Sequence, residues 1–81
     1  MDRSHDIATI VSFLRTTFGL DTATADSPLF QIGGIDSMGL LELVEFIETH
    51  FGTTIRSNEI TSANFATPAR IVEVFAGRRD R

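Results

Sequence analysis

Apolar residues recur along the first part of the chain at Ile7, Ile10, Val11, Leu14 and Phe18, the i, i+3, i+4, i+7, i+11 spacing of an amphipathic helix. Ser4 reads as its N-cap and Gly19 as its terminator. Residues 19–35 then lose the period and become rich in Asp, Thr, Ser and Gly. A connection of that length in a compact domain is expected to be functional or pinned by its own side chains, here Leu29, Phe30 and Ile35. Gly33 and Gly34 permit a tight reversal before the period resumes.

The second helix is predicted from Asp36 or Ser37 to Phe51, with Gly52 at its C-cap. Steps of about 100° per residue place Leu40, Leu43, Val44, Ile47 and Phe51 on one side, facing the core. The opposite side carries Met38, Leu41, Glu42 and Glu45, with Ser37 and Glu48 at its flank. Apolar residues set among carboxylates make an unusual outer face. After Ile55 the segment is polar, with isolated anchors at Ile60 and Phe65 and room for one helical turn. Thr67-Pro68 reads as N-cap and first residue of a last helix, buried through Ile71, Val74 and Phe75 and ended by Gly77. The expected fold is all-α, a small four-helix bundle made of three main helices and a short third one. It forms one domain, residues 1–81, with an ordered core over about 4–77.

Composition narrows what such a bundle can do. A chain of 81 residues is too small to wall off a deep catalytic pocket and still fill its own core. No cysteine is present, so disulfides and thiolate metal sites are excluded, and any thiol chemistry has to arrive on a cofactor. The N-terminus lacks the apolar run of a signal peptide and no stretch is long enough to span a membrane, so a cytoplasmic protein without membrane insertion is expected. The net charge is −4, and all seven basic residues are arginines. From Ala25 to Ile55 there is none, whereas Asp26, Asp36, Glu42, Glu45 and Glu48 fall there; Arg78, Arg79 and Arg81 read as a frayed tail. A nucleic-acid binder needs a basic stripe on an ordered face, so the fitting partners are proteins with basic surfaces. His5 and His50 stand in unrelated segments and read as incidental surface residues.

The candidate chemistry lies in Gly33-Gly34-Ile35-Asp36-Ser37-Met38, which delivers a serine from a glycine-hinged loop onto the first turn of an acidic helix. The partial positive charge and unpaired N–H groups of a helix N-terminus favour an anion there, worth about 0.3–1 kcal/mol at an exposed site. Asp36 beside the serine is placed to orient a metal ion or a modifying enzyme. The bland readings are that Ser37 and Asp36 are ordinary caps and that the glutamates are a solvated face. Against the latter, Glu42, Glu45 and Glu48 at i, i+3 spacing set like charges side by side, at a small cost to stability. No base is positioned for a serine hydrolase, and the lysine of a phosphate-binding P-loop is missing.

These residues resemble the acyl carrier and peptidyl carrier protein family, whose hallmark is an Asp-Ser-Leu/Met tripeptide at the start of the second helix after a Gly-containing loop. Here it is Asp36-Ser37-Met38. The likeness extends through Ser27-Pro28-Leu29-Phe30, the stretch Leu43-Val44-Glu45-Phe46-Ile47-Glu48 with Phe51-Gly52, and Phe65 with Thr67. It implies that Ser37 receives 4'-phosphopantetheine from coenzyme A through a Mg-dependent phosphopantetheinyl transferase, and that the arm's thiol carries an acyl or aminoacyl thioester. It further implies a non-catalytic, monomeric protein whose face of Met38, Leu41, Glu42, Glu45 and Glu48 docks a loading enzyme (a ligase, adenylation enzyme or acyltransferase) and then a downstream synthase or transferase. Fatty-acid carriers usually have an acidic residue where this chain has Gly39. Asp36-Ser37-Met38-Gly39 and Thr67-Pro68 are closer to D-alanyl carriers and to discrete carriers of specialised, polyketide or nonribosomal peptide-type biosynthesis. Asn64-Phe65 is similar to carriers of unusual polyketide extender units. The tight fit of the chain around one domain favours a free-standing protein. An unmodified helical adaptor using the same face is the alternative from another class.

Overall fold

A computed structural model describes residues 3–31 and 35–78. Three α-helices, α1 (Arg3–Phe18), α2 (Ser37–Phe51) and α3 (Pro68–Phe75), enclose one core, and no strand occurs among the described residues. The expected short third helix is a single 3-10 turn, Ser57–Glu59, so the bundle has three α-helices and one such turn.

The core draws on every segment: Ile10 and Leu14 from α1, Ala23 and Leu29 from the long loop, Leu43, Val44, Ile47 and Phe51 from α2, and Ile71, Val72 and Phe75 from α3. Ile55 and Phe65, from the segment that joins α2 to α3, belong to the same core. The predicted stripes hold with three adjustments. Ile7, Val11, Phe18 and Leu40 are only partly buried, Val72 takes the deeper place beside Ile71, and Val74 sits at the margin. Phe13 and Phe46 also pack against the core from its edge, their rings stacked at 4.1 Å.

Cap chemistry sets the helix ends where the sequence placed them, with two exceptions. Asp36 caps α2, and Gly52 closes it in the left-handed conformation (φ 65°), donating its N–H to the Glu48 carbonyl. Thr67 Oγ1 accepts from the Arg70 N–H, with Pro68 buried at the first helical position. Gly19 (φ 68°) follows α1 directly. Ser4, however, lies inside α1 rather than capping it. Gly77 does not end α3, whose C-cap is Ala76.

The loop from Gly19 to Ile35 is tied down, though not by the three side chains expected. Leu29 is buried and Ile35 half-buried, but Phe30 is 49% exposed. The remaining hold is polar. Arg15 donates from Nη2 (2.8 Å) and Nε (3.2 Å) to the Ala23 carbonyl. Leu29 N–H reaches the Ala66 carbonyl at 2.9 Å, and Ala69 N–H reaches that of Ala25 at 3.0 Å. Backbone groups of a coil segment need partners wherever water is excluded, and here the strand-less loop finds them in the approach to α3. The Gly33-Gly34 reversal, Arg79 and Arg81 lie outside the described residues.

Arg78, His50 and Asn64 each make contacts that the sequence did not reveal. Arg78 is no frayed tail: its guanidinium grips both Glu59 oxygens (2.6 and 3.2 Å) and the Thr54 carbonyl (2.9 Å), with its carbon 5.2 Å from the centre of the Phe75 ring. It thereby fastens the 3-10 turn to the end of α3. His50 stacks on Phe46 (5.7 Å, 3° between planes), and its Nε2 stands 3.7 Å from Oδ1 of the buried Asp6, linking the two long helices. Asn64 donates from Nδ2 to the Glu59 carbonyl at 3.0 Å and precedes the buried Phe65, so Asn64-Phe65 serves the core.

The Arg78 hydrogen bond, with a smaller one from the Arg56 backbone, holds the Glu59 carboxyl below its ordinary pKa. A depressed carboxyl contributes stability that is present above its unfolded pKa and is lost as pH falls through the folded value. Wild type is therefore expected to melt above Glu59→Gln at pH 7, with the gap closing below about pH 4 as the carboxyl protonates. Thermal melts across pH check this; a gap independent of pH would place the effect outside the ion pair.

Candidate functional site

Where α2 begins, the two residues expected to be caps divide the work. Asp36 has extended backbone (φ −96°, ψ −169°), and its Oδ1 accepts the Gly39 N–H at 2.8 Å. That is the N-cap geometry, in which a side-chain oxygen takes one of the helix's orphan donors. Ser37 is the first helical residue and is exposed, and its hydroxyl makes no hydrogen bond to the described residues. The aspartate therefore does the capping, and the serine side chain stays exposed.

Gly39 has a packing role that its low helix propensity conceals. It is buried, and a Cβ there would stand 3.0 Å from Cε1 of Phe18 and 3.4 Å from both Asp36 Oδ1 and Ile35 Cγ2. The glycine lets the end of α1 lie directly against the first turn of α2. Any side chain here requires the Phe18 ring to give by a few tenths of an ångström. The signal was present in the sequence, since a glycine three residues into a helix needs a reason, but its partner lies twenty-one positions away.

The outer face of α2 forms much as the helical wheel placed it. Met38 is 68% and Leu41 58% exposed, and Glu42 and Glu45 are also exposed. Neither Glu42 nor Glu45 has an ion-pair or side-chain hydrogen-bond partner among the described residues. Glu48 differs. It is half-buried, and its Oε2 accepts the Ile55 N–H at 2.8 Å, tying the end of α2 to the following segment. Sequence reasoning missed Phe13 and Phe46, which border this face. No cluster of His, Cys, Asp or Glu able to hold a metal ion occurs among the described residues, and no described helix is long and apolar enough to cross a membrane.

An exposed serine thus follows the cap of α2, beside an acidic and apolar face. Residues 8–75 match the family model described as the phosphopantetheine attachment site, and the chain belongs to that family of phosphopantetheine-binding carrier proteins. It is 33% identical over 66 residues to D-alanyl carrier protein 2 of Lactiplantibacillus plantarum, covering 80% of this chain and 82% of that one. It is 38% identical to the D-alanyl carrier protein of Streptococcus mutans over 59% of this chain and 61% of that one. To the probable acyl carrier protein PigG of a Serratia strain it is 39% identical, over 67% of this chain and 59% of that one. No solved structure matches the chain.

The protein is thus a carrier that tethers its cargo as a thioester on covalently attached 4'-phosphopantetheine. The geometry at α2 suits that group. An attachment there leaves the cap intact, and the N–H groups of Ser37 and Met38, at the first two helical positions, have no intrahelical partner and favour a nearby phosphodiester. The group supplies the thiol that this cysteine-less chain lacks.

Two outcomes follow from the division of labour at α2. Asp36→Ala should lower stability by about 1 kcal/mol in denaturant unfolding, whereas Asp36→Asn, which keeps a capping oxygen, should lose less than half of that. Gly39→Ala should show none of the roughly 0.8–1 kcal/mol that alanine ordinarily adds to a helix interior, but should recover it in a Phe18→Ala background. Equal effects of Gly39→Ala in both backgrounds would mean that the ring does not restrict this position.

Proposed function

We propose that Ser37 carries the phosphopantetheine and that Met38, Leu41, Glu42 and Glu45 form the docking face for the enzymes that modify, load and unload it, with Glu48 at its border. The observation that supports the first part is the exposed Ser37 hydroxyl, relieved of capping by Asp36. The second rests on two unpaired carboxylates flanked by two exposed apolar side chains, in a stretch without a lysine or an arginine. Apolar surface supplies contact and carboxylates supply steering, so docking is fast, weak and salt-sensitive, which suits cargo that has to move on.

In this reading the protein performs no catalysis of its own and works in the cytoplasm. A phosphopantetheinyl transferase installs the arm, a ligase, adenylation enzyme or acyltransferase loads it, and a synthase or transferase takes the cargo. Tethering raises the local concentration of cargo at each successive active site. The D-alanyl and PigG likenesses support a small aminoacyl or acyl cargo and a role in specialised biosynthesis.

Intact mass after incubation with coenzyme A, Mg²⁺ and a broad-specificity phosphopantetheinyl transferase tests the assignment. Wild type is expected to gain one phosphopantetheinyl group and Ser37→Ala none, with both proteins equally folded. A gain that survives Ser37→Ala would move the attachment to another residue.

A further inference from the structure

The first turn of α2, which carries Ser37, has little of its own to hold it. Ser37 and Met38 are exposed, Leu40 is half-buried, and the first fully buried side chain of the helix is Leu43. Its third residue is Gly39, and only proline is less favourable than glycine inside a helix. Two bonds to Asp36 close the turn, Gly39 N–H to Oδ1 at 2.8 Å and Leu40 N–H to the carbonyl at 2.9 Å. A helix end held by so few contacts is where a structure opens first. Against that stands the Phe18 ring, so near that a Cβ on Gly39 would lie 3.0 Å from its Cε1.

The ring itself has a fixed place. Phe18 ends α1, Gly19 (φ 68°) turns the chain away, and Leu20 N–H returns to the Leu14 carbonyl at 3.4 Å. The ring meets Phe13 at right angles (5.7 Å, 86°), and Phe13 is stacked on Phe46 of α2 at 4.1 Å. Phe18 is thus a buttress that leans on the middle of α2 through two rings and bears on the start of the same helix at Gly39.

We propose that Phe18 is a positioning residue for the modification of Ser37: its ring, admitted by Gly39, keeps the first turn of α2 closed, and the transferase acts on the closed turn. The reaction is that of the Ser37 reading above, on which this rests. In it the Ser37 Oγ attacks the pantetheine-bearing phosphorus of coenzyme A. The new O–P bond forms as the pyrophosphate P–O bond breaks, the adenosine bisphosphate leaves and the serine proton is released. Such a displacement needs the attacking oxygen held in line with the leaving group. A closed turn sets Oγ at one offset from the Met38, Leu41 and Glu42 side chains, whereas an open turn does not. Encounters with an open turn are unproductive, so KM for the carrier rises as the closed fraction falls, while kcat is kept. The glycine is explained by the same contact, since alanine would make the sturdier isolated turn but would crowd the ring.

The test uses the full-length protein, with kcat and KM measured for phosphopantetheinylation and amide exchange followed at Gly39 and Leu40. Phe18→Ala is expected to raise KM about five-fold with little change in kcat, and to speed exchange at both amides relative to Ile47 by a similar factor. Phe18→Ala/Gly39→Ala is expected to recover about four-fold of that loss, the factor by which alanine favours a helix over glycine. A general loss of packing has no such suppressor. Ile71→Val, which thins the core at α3, is expected to leave KM unchanged. Phe18→Leu keeps apolar bulk at the end of α1 and repeats the comparison where the alanine variant does not fold. Equal KM in wild type and the Phe18 variants, or a raised KM that Gly39→Ala does not lower, overturns the proposal. A wild type that gains no phosphopantetheine at Ser37 removes the Ser37 assignment instead, and the exchange rates then decide whether Phe18 holds the turn.

Discussion

The burial of Leu43, Ile47 and Phe51 fixes the rotation of α2, and the exposed acidic and apolar face depends on that rotation. With about 3.6 residues per turn, committing these side chains to the core leaves Met38, Leu41, Glu42 and Glu45 no place but the solvent. Each fully buried side chain of this kind contributes roughly 1.5–3 kcal/mol, far more than the small repulsion between neighbouring glutamates takes away. The acidic face can therefore be held together against its own charge. A 15-residue helix unsupported by packing would be marginal in water, so the display surface exists only because its back is buried.

The same logic operates at the end of α2 that matters most. Asp36 and Gly39 act as a pair: the carboxylate takes the Gly39 N–H, and the bare Gly39 Cα admits the Phe18 ring. One contact satisfies an orphan donor and the other braces the first turn against α1. Ser37 and Met38 sit between them and take part in neither. The start of the helix is thus satisfied without either of them. At the far end, Glu48 bonds the Ile55 N–H and Gly52 closes the helix, so both ends are pinned by residues other than those on display.

How much of this could be read from the chain depends on the range of the interaction. Helix α2, its caps at Asp36 and Gly52, and the Thr67-Pro68 start of α3 were legible because period and cap chemistry act over three or four residues. The place of Ser37 at the helix start was legible for the same reason, since Asp36, Ser37 and the acidic face follow one another along the chain at α2. What escaped was set by distant partners. Arg78 sits among the arginines of a polar terminus, and nothing local says that it closes onto Glu59 and Thr54. Phe30 and Leu29 are adjacent apolar residues in one loop, and only the pairing of that loop with Ala66 decides which of them turns inward. Phe13 and Phe46 fall at the borders of their helical stripes, where the wheel assigns no side.

Those border residues explain why an interaction surface of this size can be built on so small a domain. A chain of this length cannot enclose a deep cavity without emptying its core, so recognition has to be assembled from side chains that belong half to the core and half to the surface. Phe13 and Phe46 meet that description: they pack on the buried cluster from one side and wall two shallow grooves from the other. A change in them would disturb stability and docking together. Glu42 and Glu45, exposed and outside the core cluster, can change while the fold stays as it is.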